Sequence, residues 1–374
     1  MEKTSPLKEV AALFFKLGSI GFGGPAVHIA LMEEEVVRKR KWMTQEHFLD
    51  LVGATNLIPG PNSTEMTMHI GKERAGWKGL IVAGACFIFP AVVITGIIAW
   101  AYTKYGKLPQ VEPFIYGIKP AIIAVVVALL ISLGRKAIKS IQLAIIGVVA
   151  AVLALLGINE ILILFGGGLV GILIYLLTRN DRSLKSFFPF ILLQIPPLIS
   201  NGSSWKLFWI FLKIGAILYG SGYVLFAFLD EELVTRSLLN KQQLADAIAV
   251  GQFTPGPVFS SATFIGWQIG QLPGAIAATI GIFLPSFLFV ALLNPLIPAL
   301  RRSPLMSAFL DNVNVISIAL IAVICIEIGK VAITDWKTIV IAIAGFIVSI
   351  LFKKLNSAFV IIGGALLGYL LWQF

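Results

Sequence analysis

NLIPGPNSTE spans residues 56–65, and QFTPGPVFSS spans residues 252–261, starting 196 residues later. Each stretch places Pro-Gly-Pro after a short apolar run and before small hydroxyl residues. Proline removes a backbone donor and glycine permits tight backbone geometry, so each triplet interrupts any helix that contains it. The same interruption therefore occurs twice, which indicates a repeated unit.

The composition indicates an integral membrane protein. The chain has 374 residues, of which 58% are hydrophobic and 13% are charged, outside the range of water-soluble domains. The net charge of +10 comes from basic residues that cluster in the loops between apolar runs. In a membrane protein such residues set the orientation of the helices. We therefore exclude nucleic acid as a partner. Apolar runs that suit the ~30 Å hydrocarbon layer of a bilayer occur at 79–101, 118–134, 140–157, 160–177, 275–293, 313–329, 338–352 and 358–372.

Cysteine and histidine positions do not indicate a metal centre. Cys86 and Cys325 lie inside apolar runs at unrelated places, and His28, His47 and His69 lack metal-ligand spacing. The sequence has no ATP-binding motif, no HExxH and no nucleophile with a base. We therefore predict no metal, no cofactor and no enzymatic activity.

The two halves of the chain resemble each other. FFKLGSIGFGG (14–24) aligns with FLKIGAILYGS (211–221), and the two Pro-Gly-Pro triplets then coincide. This pattern predicts a tandem duplication. The predicted units are a first membrane repeat at 1–178, a linker at 179–204 on the cytoplasmic membrane surface, and a second membrane repeat at 205–374.

Equivalent loops differ in charge between the halves. GKERAGWKG (71–79) has three basic residues, whereas its mate GWQIGQLPG (266–274) has none. Conversely, KKLN (353–356) is basic and its mate LGIN (156–159) is neutral. Because basic loops stay in the cytoplasm, the two repeats are predicted to have inverted topology.

Inversion places both ends of the segment 42–71 in the cytoplasm, so that the chain turns within the membrane at Pro-Gly-Pro. We therefore expect an all-α polytopic membrane protein of two inverted repeats, each with about five crossing helices and one re-entrant Pro-Gly-Pro hairpin. The first helix of each half is also interrupted, by GFGGP (21–25) and YGSGY (219–223). If these interruptions form hairpins instead, each half has four crossings and the linker must cross the membrane.

The helix that follows each triplet begins with free N–H groups, which attract anions. Small hydroxyl residues add donors there, and the glycines of the interrupted first helix let another backbone approach closely. Interrupted helices at corresponding places in both halves indicate the binding site of a secondary transporter. The predicted substrate-binding residues are Asn56, Gly60, Asn62, Ser63, Thr64, Gly256, Ser260, Ser261, Gly23, Gly24, Lys16 and Lys213.

Two lysines in that set would balance the charge of a dianion. Each helix end supplies only about half a positive charge, and Lys16 and Lys213 recur at equivalent positions in the first helices. The alternative is that both lysines extend to the membrane surface.

Three further residues are candidates for coupling transport to protons: Glu65, Lys119 and Glu327. Glu65 also fits the third position of a helix-capping pair with Asn62. Lys119 begins an apolar run, which suits placement at the membrane interface equally well.

Several stretches together resemble the chromate ion transporter family: FGGP (22–25), ALMEEEVV (30–37), NLIPGPNSTE (56–65), HIGKERAGWKG (69–79) and TPGP (254–257). The resemblance covers both halves, and the chain resembles the fused form of that family. It implies efflux of chromate, a tetrahedral oxyanion, across the bacterial cytoplasmic membrane. A transporter or exchanger of sulfate or another oxyanion, and an anion channel, are the alternatives, and a homodimer is left open.

Overall fold

The computed structural model describes residues 5–22, 24–106, 108, 110–178, 203–219, 224–293, 303–352 and 355–373. Within these ranges the regular secondary structure is entirely helical. The helices of the first half are α1 (Pro6–Ile20), α2 (Pro25–Glu33, continued as a π-helix over Glu34–Lys39), α3 (Gln45–Thr55), α4 (Asn62–Tyr105), α5 (Glu112–Ala137), α6 (Ile141–Leu155) and α7 (Glu160–Thr178).

The second half repeats this order. Its helices are α8 (Ser203–Ile217), α9 (Leu225–Leu229, continued as a π-helix over Asp230–Val234), α10 (Lys241–Phe253), a 3-10 turn (Val258–Ser260), α11 (Ser261–Leu293), α12 (Pro304–Ala332), α13 (Trp336–Leu351) and α14 (Ser357–Trp372).

Many of these helices suit a lipid environment. In the described part of the chain, five are long and apolar enough to cross a membrane, namely α4, α5, α7, α11 with its preceding turn, and α12. The shorter helices α6, α13 and α14 are also apolar. Large apolar side chains such as Ile141 and Leu177 are 82% and 78% exposed, as expected for helices that face acyl chains. The prediction of an all-α polytopic membrane protein is confirmed.

α4 and α11 each consist of two helices joined at a kink. α4 leaves helical geometry at Ala75 and Gly76, and α11 leaves it at Gly270 and Gln271. Gly76 and Gln271 have φ angles of 63° and 52°, in the left-handed region that ends a right-handed helix. Each helix thus divides into a short return limb, residues 62–74 or 261–269, and a long segment, residues 77–105 or 272–293.

The first helix of each half doubles back on the helix that follows it. Lys16 Nζ lies 3.0 Å from Glu35 Oε1, and Lys213 Nζ lies 2.5 Å from Glu232 Oε1. A straight helix would separate residues 19 apart by about 28 Å, so the chain must reverse between each pair. These reversals favour the alternative in which the interruption after each first helix forms a hairpin, and the number of crossing helices per half stays a prediction.

Glycines bring several helices into backbone contact. A Cβ on Gly18 would lie 2.3 Å from Phe87 O, and a Cβ on the equivalent Gly215 would lie 2.3 Å from Ile282 O. α1 and α8 therefore pack closely on the long segments of α4 and α11. Small residues at such contacts are typical of membrane helices, where dispersion contacts replace the hydrophobic effect as the driving force.

Gly117 provides a test of this packing between α5 and α14. We expect Gly117→Val to destabilise the protein by about 1 to 3 kcal/mol through overpacking, because a Cβ there would lie 2.1 Å from Gly364 O. The matched control is Gly134→Val in the same helix, where a Cβ meets nothing within 4 Å. Thermal unfolding in detergent measures both, and equal losses would argue against close packing at Gly117.

Candidate functional site

Each Pro-Gly-Pro turn is hydrogen-bonded to the opposite half. The Gly60 amide donates to the Leu218 carbonyl at 2.8 Å, and the Gly256 amide donates to the Gly21 carbonyl at 2.8 Å. Leu218 and Gly21 each follow directly after the first helix of their half. The two triplets therefore meet the ends of α8 and α1 in a reciprocal, nearly symmetric arrangement.

Both central glycines are required by backbone conformation and by space. Gly60 has φ of 136° and Gly256 has φ of 87°, which L side chains rarely adopt. A Cβ on Gly60 would lie 2.4 Å from both Glu65 Oε1 and Ser286 Oγ, and one on Gly256 would lie 2.7 Å from Ala91 Cβ. The turns are thus packed against side chains that leave no room for a larger residue.

The hydroxyls that follow the triplets are buried. Ser63 is 1% exposed, and Thr64, Ser260 and Ser261 are 0% exposed. Ser260 Oγ accepts from Thr95 Oγ1 at 3.3 Å, whereas the hydroxyls of Ser63, Thr64 and Ser261 have no partner within the described ranges of the chain. Buried polar groups are nearly always hydrogen-bonded, so three unpaired hydroxyls at the starts of the two return limbs are donors available to a ligand.

The helix start at residue 62 differs from the predicted capping pair. Pro61 is the N-cap residue and no side chain caps the helix; the amides of Thr64 and Glu65 donate to the Pro61 carbonyl at 2.8 and 3.1 Å. The Asn62 side chain instead donates to Asn56 Oδ1 at 2.6 Å. The predicted pairing of Asn62 with Glu65 is therefore wrong, because Asn62 lies inside the first turn and Asn56 binds its amide.

Glu65 consequently has no hydrogen-bond partner among the residues that the structure describes. It is 0% exposed, and neither of its carboxyl oxygens makes a hydrogen bond. An ionised carboxylate in such a place is very costly. Its nearness to the Gly60 turn makes it part of the candidate site.

The predicted counter-charges already have carboxylate partners. The side chain of Lys16, paired with Glu35, is 54% exposed, and that of Lys213, paired with Glu232, is 30% exposed. The hydrogen bond from Lys16 is the main reason that the pKa of Glu35 lies below its usual range, and burial opposes this shift. A dianion would have to compete with these carboxylates, and the role of both lysines in binding stays a prediction.

The other two coupling candidates are also paired. Lys119 Nζ lies 3.7 Å from Asp246 Oδ1, and Asp246 accepts a hydrogen bond of 2.5 Å from the Tyr102 hydroxyl. Glu327 forms an ion pair with Lys241. Among the three candidates, Glu65 alone lacks such a partner in the described part of the chain.

The remaining predicted glycines and two cavities complete the description of the site. Gly24, with φ of 80°, precedes the first residue of α2, and Gly23 lies outside the described residues. One cavity lies beside Lys119, and an apolar groove runs between the long segments of α4 and α11 past Trp100 and Trp267. Neither cavity is lined by the unpaired hydroxyls.

Sequence reasoning did not find Ser286, which is 0% exposed with an unpaired hydroxyl beside Gly60. A signal exists, because Ser286 and its mate Ala91 directly follow Pro285 and Pro90, which the duplication places at equivalent positions. The two mates contact the two central glycines. In each half, the residue after the duplicated proline therefore lies against the central glycine of the other half's Pro-Gly-Pro turn.

These features define a class: a multi-pass membrane transport protein with interrupted helices in both halves. The chain belongs to the chromate transporter family. The model of that family, described as Chromate transporter, matches residues 8–172 and again residues 205–369. The resemblance inferred from the sequence motifs is therefore confirmed. Members of this family are transport proteins, and the chain is not an enzyme.

Individual relatives are similar over nearly the full length. A chromate transport protein of Cupriavidus metallidurans is 28% identical, over 98% of this chain and 93% of the relative. A probable chromate transport protein of Synechococcus elongatus is 28% identical, over 98% and 96%. A chromate transport protein of Pseudomonas aeruginosa is 26% identical, over 97% and 92%. No solved structure matches the chain.

Proposed function

We propose that the protein is a secondary active transporter that exports chromate across the bacterial cytoplasmic membrane. Of three relatives that align over nearly their whole length, two are named chromate transport protein and one is named probable chromate transport protein. Chromate is a tetrahedral dianion, so its site must supply several donors and positive potential without a deep unpaired charge. The sequence contains no ATP-binding motif, which favours a gradient as the energy source.

The observation that carries this proposal is the set of unpaired buried hydroxyls of Ser63, Thr64 and Ser261 at the starts of the two return limbs. Helix N-termini add free backbone N–H groups and the positive end of the helix dipole. The oxyanion is held between the two return limbs by both kinds of donor. Sulfate has the same shape and charge, so the same site accepts it on physical grounds.

The proposed topology is inverted, and contacts between the halves support it. Thr95 of the first long segment contacts Ser260, and Thr103, eight residues later, accepts a hydrogen bond of 3.3 Å from Gln268. The second return limb therefore runs parallel to the first long segment. The first return limb is joined to the first long segment by the kink at Ala75 and Gly76 and is antiparallel to that segment. The two return limbs point to opposite sides of the membrane.

Both hairpins of the first half open on one side, which we assign to the cytoplasm. Glu9 near the start of α1 pairs with Arg74 at 2.7 Å, and His47 near the start of α3 pairs with Glu73 at 2.6 Å. Basic residues cluster on this side. With four crossings in each half, inverted repeats require the connection between residues 178 and 203 to pass to the other side. The surface linker expected at 179–204 falls mostly outside the described residues, and this topology replaces it.

The proposed anion contacts predict a graded loss on mutation. Ser63→Ala should weaken binding by about 1 to 3 kcal/mol, because one hydrogen bond to a charged ligand is lost while backbone donors remain. Thr64→Ala should act similarly, and Ser261→Ala less. Counterflow of labelled chromate and sulfate in proteoliposomes measures half-saturation, with Ser349→Ala, a serine outside the site, as the control. Unchanged half-saturation in the Ser63/Thr64 double variant would remove these hydroxyls from the site, and large unitary currents would indicate a channel.

Inverted topology predicts opposite accessibility of the two kinks, which exposed residues at or beside them, Gln271 and Lys78, can report. In a chain without Cys86 and Cys325, Lys78→Cys should react with a membrane-impermeant maleimide only after the cells are permeabilised. Gln271→Cys should react in intact cells, because its kink faces outside. Reaction of both cysteines from the same side would rule out inverted repeats.

The ion pair of Lys16 allows a test of its proposed role as counter-charge. Lys16→Met should weaken chromate binding, whereas Glu35→Gln should tighten it, because the lysine is then free for the dianion. Glu34→Gln, which removes a more exposed carboxylate on the same turn, serves as the control. Titration calorimetry measures the affinities. Equal losses in Lys16→Met and Glu35→Gln would show that the pair only holds the hairpin together.

A further inference from the structure

Glu65 is a buried titratable group that the proposed transport site does not yet use. Both carboxyl oxygens lack a hydrogen-bond partner and the residue is fully buried. In the described part of the chain no basic side chain forms an ion pair with it. It lies two residues after Ser63 and one after Thr64, in the first turn of α4, and is therefore next to the proposed anion site.

The surroundings of Glu65 come from both halves. Its Oε1 and Ser286 Oγ lie on the same side of the Gly60 turn, each 2.4 Å from where a Cβ would be. Tyr219, which follows α8, is 4% exposed and is close enough to interact with the Glu65 charge. One turn further along the return limb is His69, which has Lys72 beside it. Among the described residues, Tyr219 is the titratable group that we place against Glu65, with His69 and Lys72 further along the same limb.

An anion and a negative carboxylate cannot occupy this site together at low cost. A dianion held at Ser63 and Thr64 would repel an ionised Glu65 with no cation between them. A protonated Glu65 removes that repulsion and gains an O–H donor for an oxyanion. Binding of the proton and binding of the anion therefore favour each other, and by linkage the effect is reciprocal.

We infer that Glu65 binds one proton with each oxyanion, so that the proton and the anion move together. The inference rests on the proposed transport function and adds the co-transported ion. The proton comes from water when the open site closes over the anion, and it returns to water on release. One proton per dianion leaves one net negative charge to move, which an inside-negative membrane potential drives outward.

Two titratable side chains follow Glu65 on the return limb, in the direction of its kink. His69 follows it by four residues and is 2% exposed with Nε2 unpaired; Glu73 follows after four more and is hydrogen-bonded to His47. Residues four apart lie on one face of a helix. The equivalent positions in the second half are Ser261, Phe264 and Gln268, none of which titrates. Proton exchange with Glu65 therefore runs through His69 on the first-half side.

The first experiment measures chromate affinity against pH in detergent, at alkaline pH where chromate is a dianion. For the intact protein we expect affinity to weaken by up to about tenfold per pH unit in the range where Glu65 is ionised in the anion-free protein, since one proton is then taken up with the anion. Glu65→Gln, which is neutral and keeps the shape, should bind chromate with an affinity independent of pH. Glu112→Gln, which removes an exposed carboxylate at the start of α5, should keep the slope of the intact protein.

A second measurement needs no variant. Chromate added to the intact protein in weakly buffered solution with an indicator dye should take up about one proton per bound anion. His69→Gln should slow that uptake and leave its extent unchanged. In proteoliposomes, acid on the chromate side should accelerate transport by the intact protein and have no effect on Glu65→Gln.

The outcomes separate the two proposals. If the intact protein binds chromate with no pH slope and no proton uptake, while Ser63→Ala still weakens binding, the proton inference is wrong and the transport site stands. A Glu65→Gln protein that keeps the slope also overturns the inference. If the intact protein binds neither chromate nor sulfate, the proposed function fails, and the inference fails with it.

Discussion

Two backbone hydrogen bonds between the halves hold the centre of this protein together. The amides of Gly60 and Gly256 each donate to a carbonyl directly after the first helix of the other half, at 2.8 Å in both cases, and the Gly21 carbonyl also accepts from His28 Nε2. An amide or carbonyl without a partner costs several kcal/mol in a membrane, so each broken helix is tolerated because the opposite turn satisfies it. The placement of the unpaired hydroxyls, of Glu65 and of Ser286 follows from this reciprocal contact.

Local chemistry explains why much of the fold could be predicted from the sequence. Apolar length identifies the membrane helices, and Pro-Gly-Pro must interrupt them wherever it occurs. The duplication adds that equivalent residues do equivalent work, and Gly18 with Gly215 and Gly60 with Gly256 do so in the structure. These features depend on neighbouring residues or on the repeat itself, which a single sequence contains.

The features that could not be predicted from the sequence depend on contacts between residues that are distant along the chain. Nothing local says that Lys16 meets Glu35 or that Lys213 meets Glu232, because both contacts depend on the chain reversing between them. The capping pair of Asn62 with Glu65 failed because Asn56, on the other side of the turn, binds the Asn62 amide. Ser286 was missed because one serine in an apolar run resembles any residue of a helix face, and only its contact with the Gly60 turn gives it meaning.

The reciprocal contact also constrains how the chain is made. The first half leaves the ribosome before Leu218 has been synthesised. The Gly60 amide therefore lacks its acceptor while the first repeat enters the membrane. The Gly21 carbonyl differs, because His28 Nε2 of the first half already lies 2.8 Å from it. The first repeat must therefore remain hydrated, or held by the insertion machinery, at its Pro-Gly-Pro turn until synthesis of the second repeat supplies the missing acceptor for Gly60.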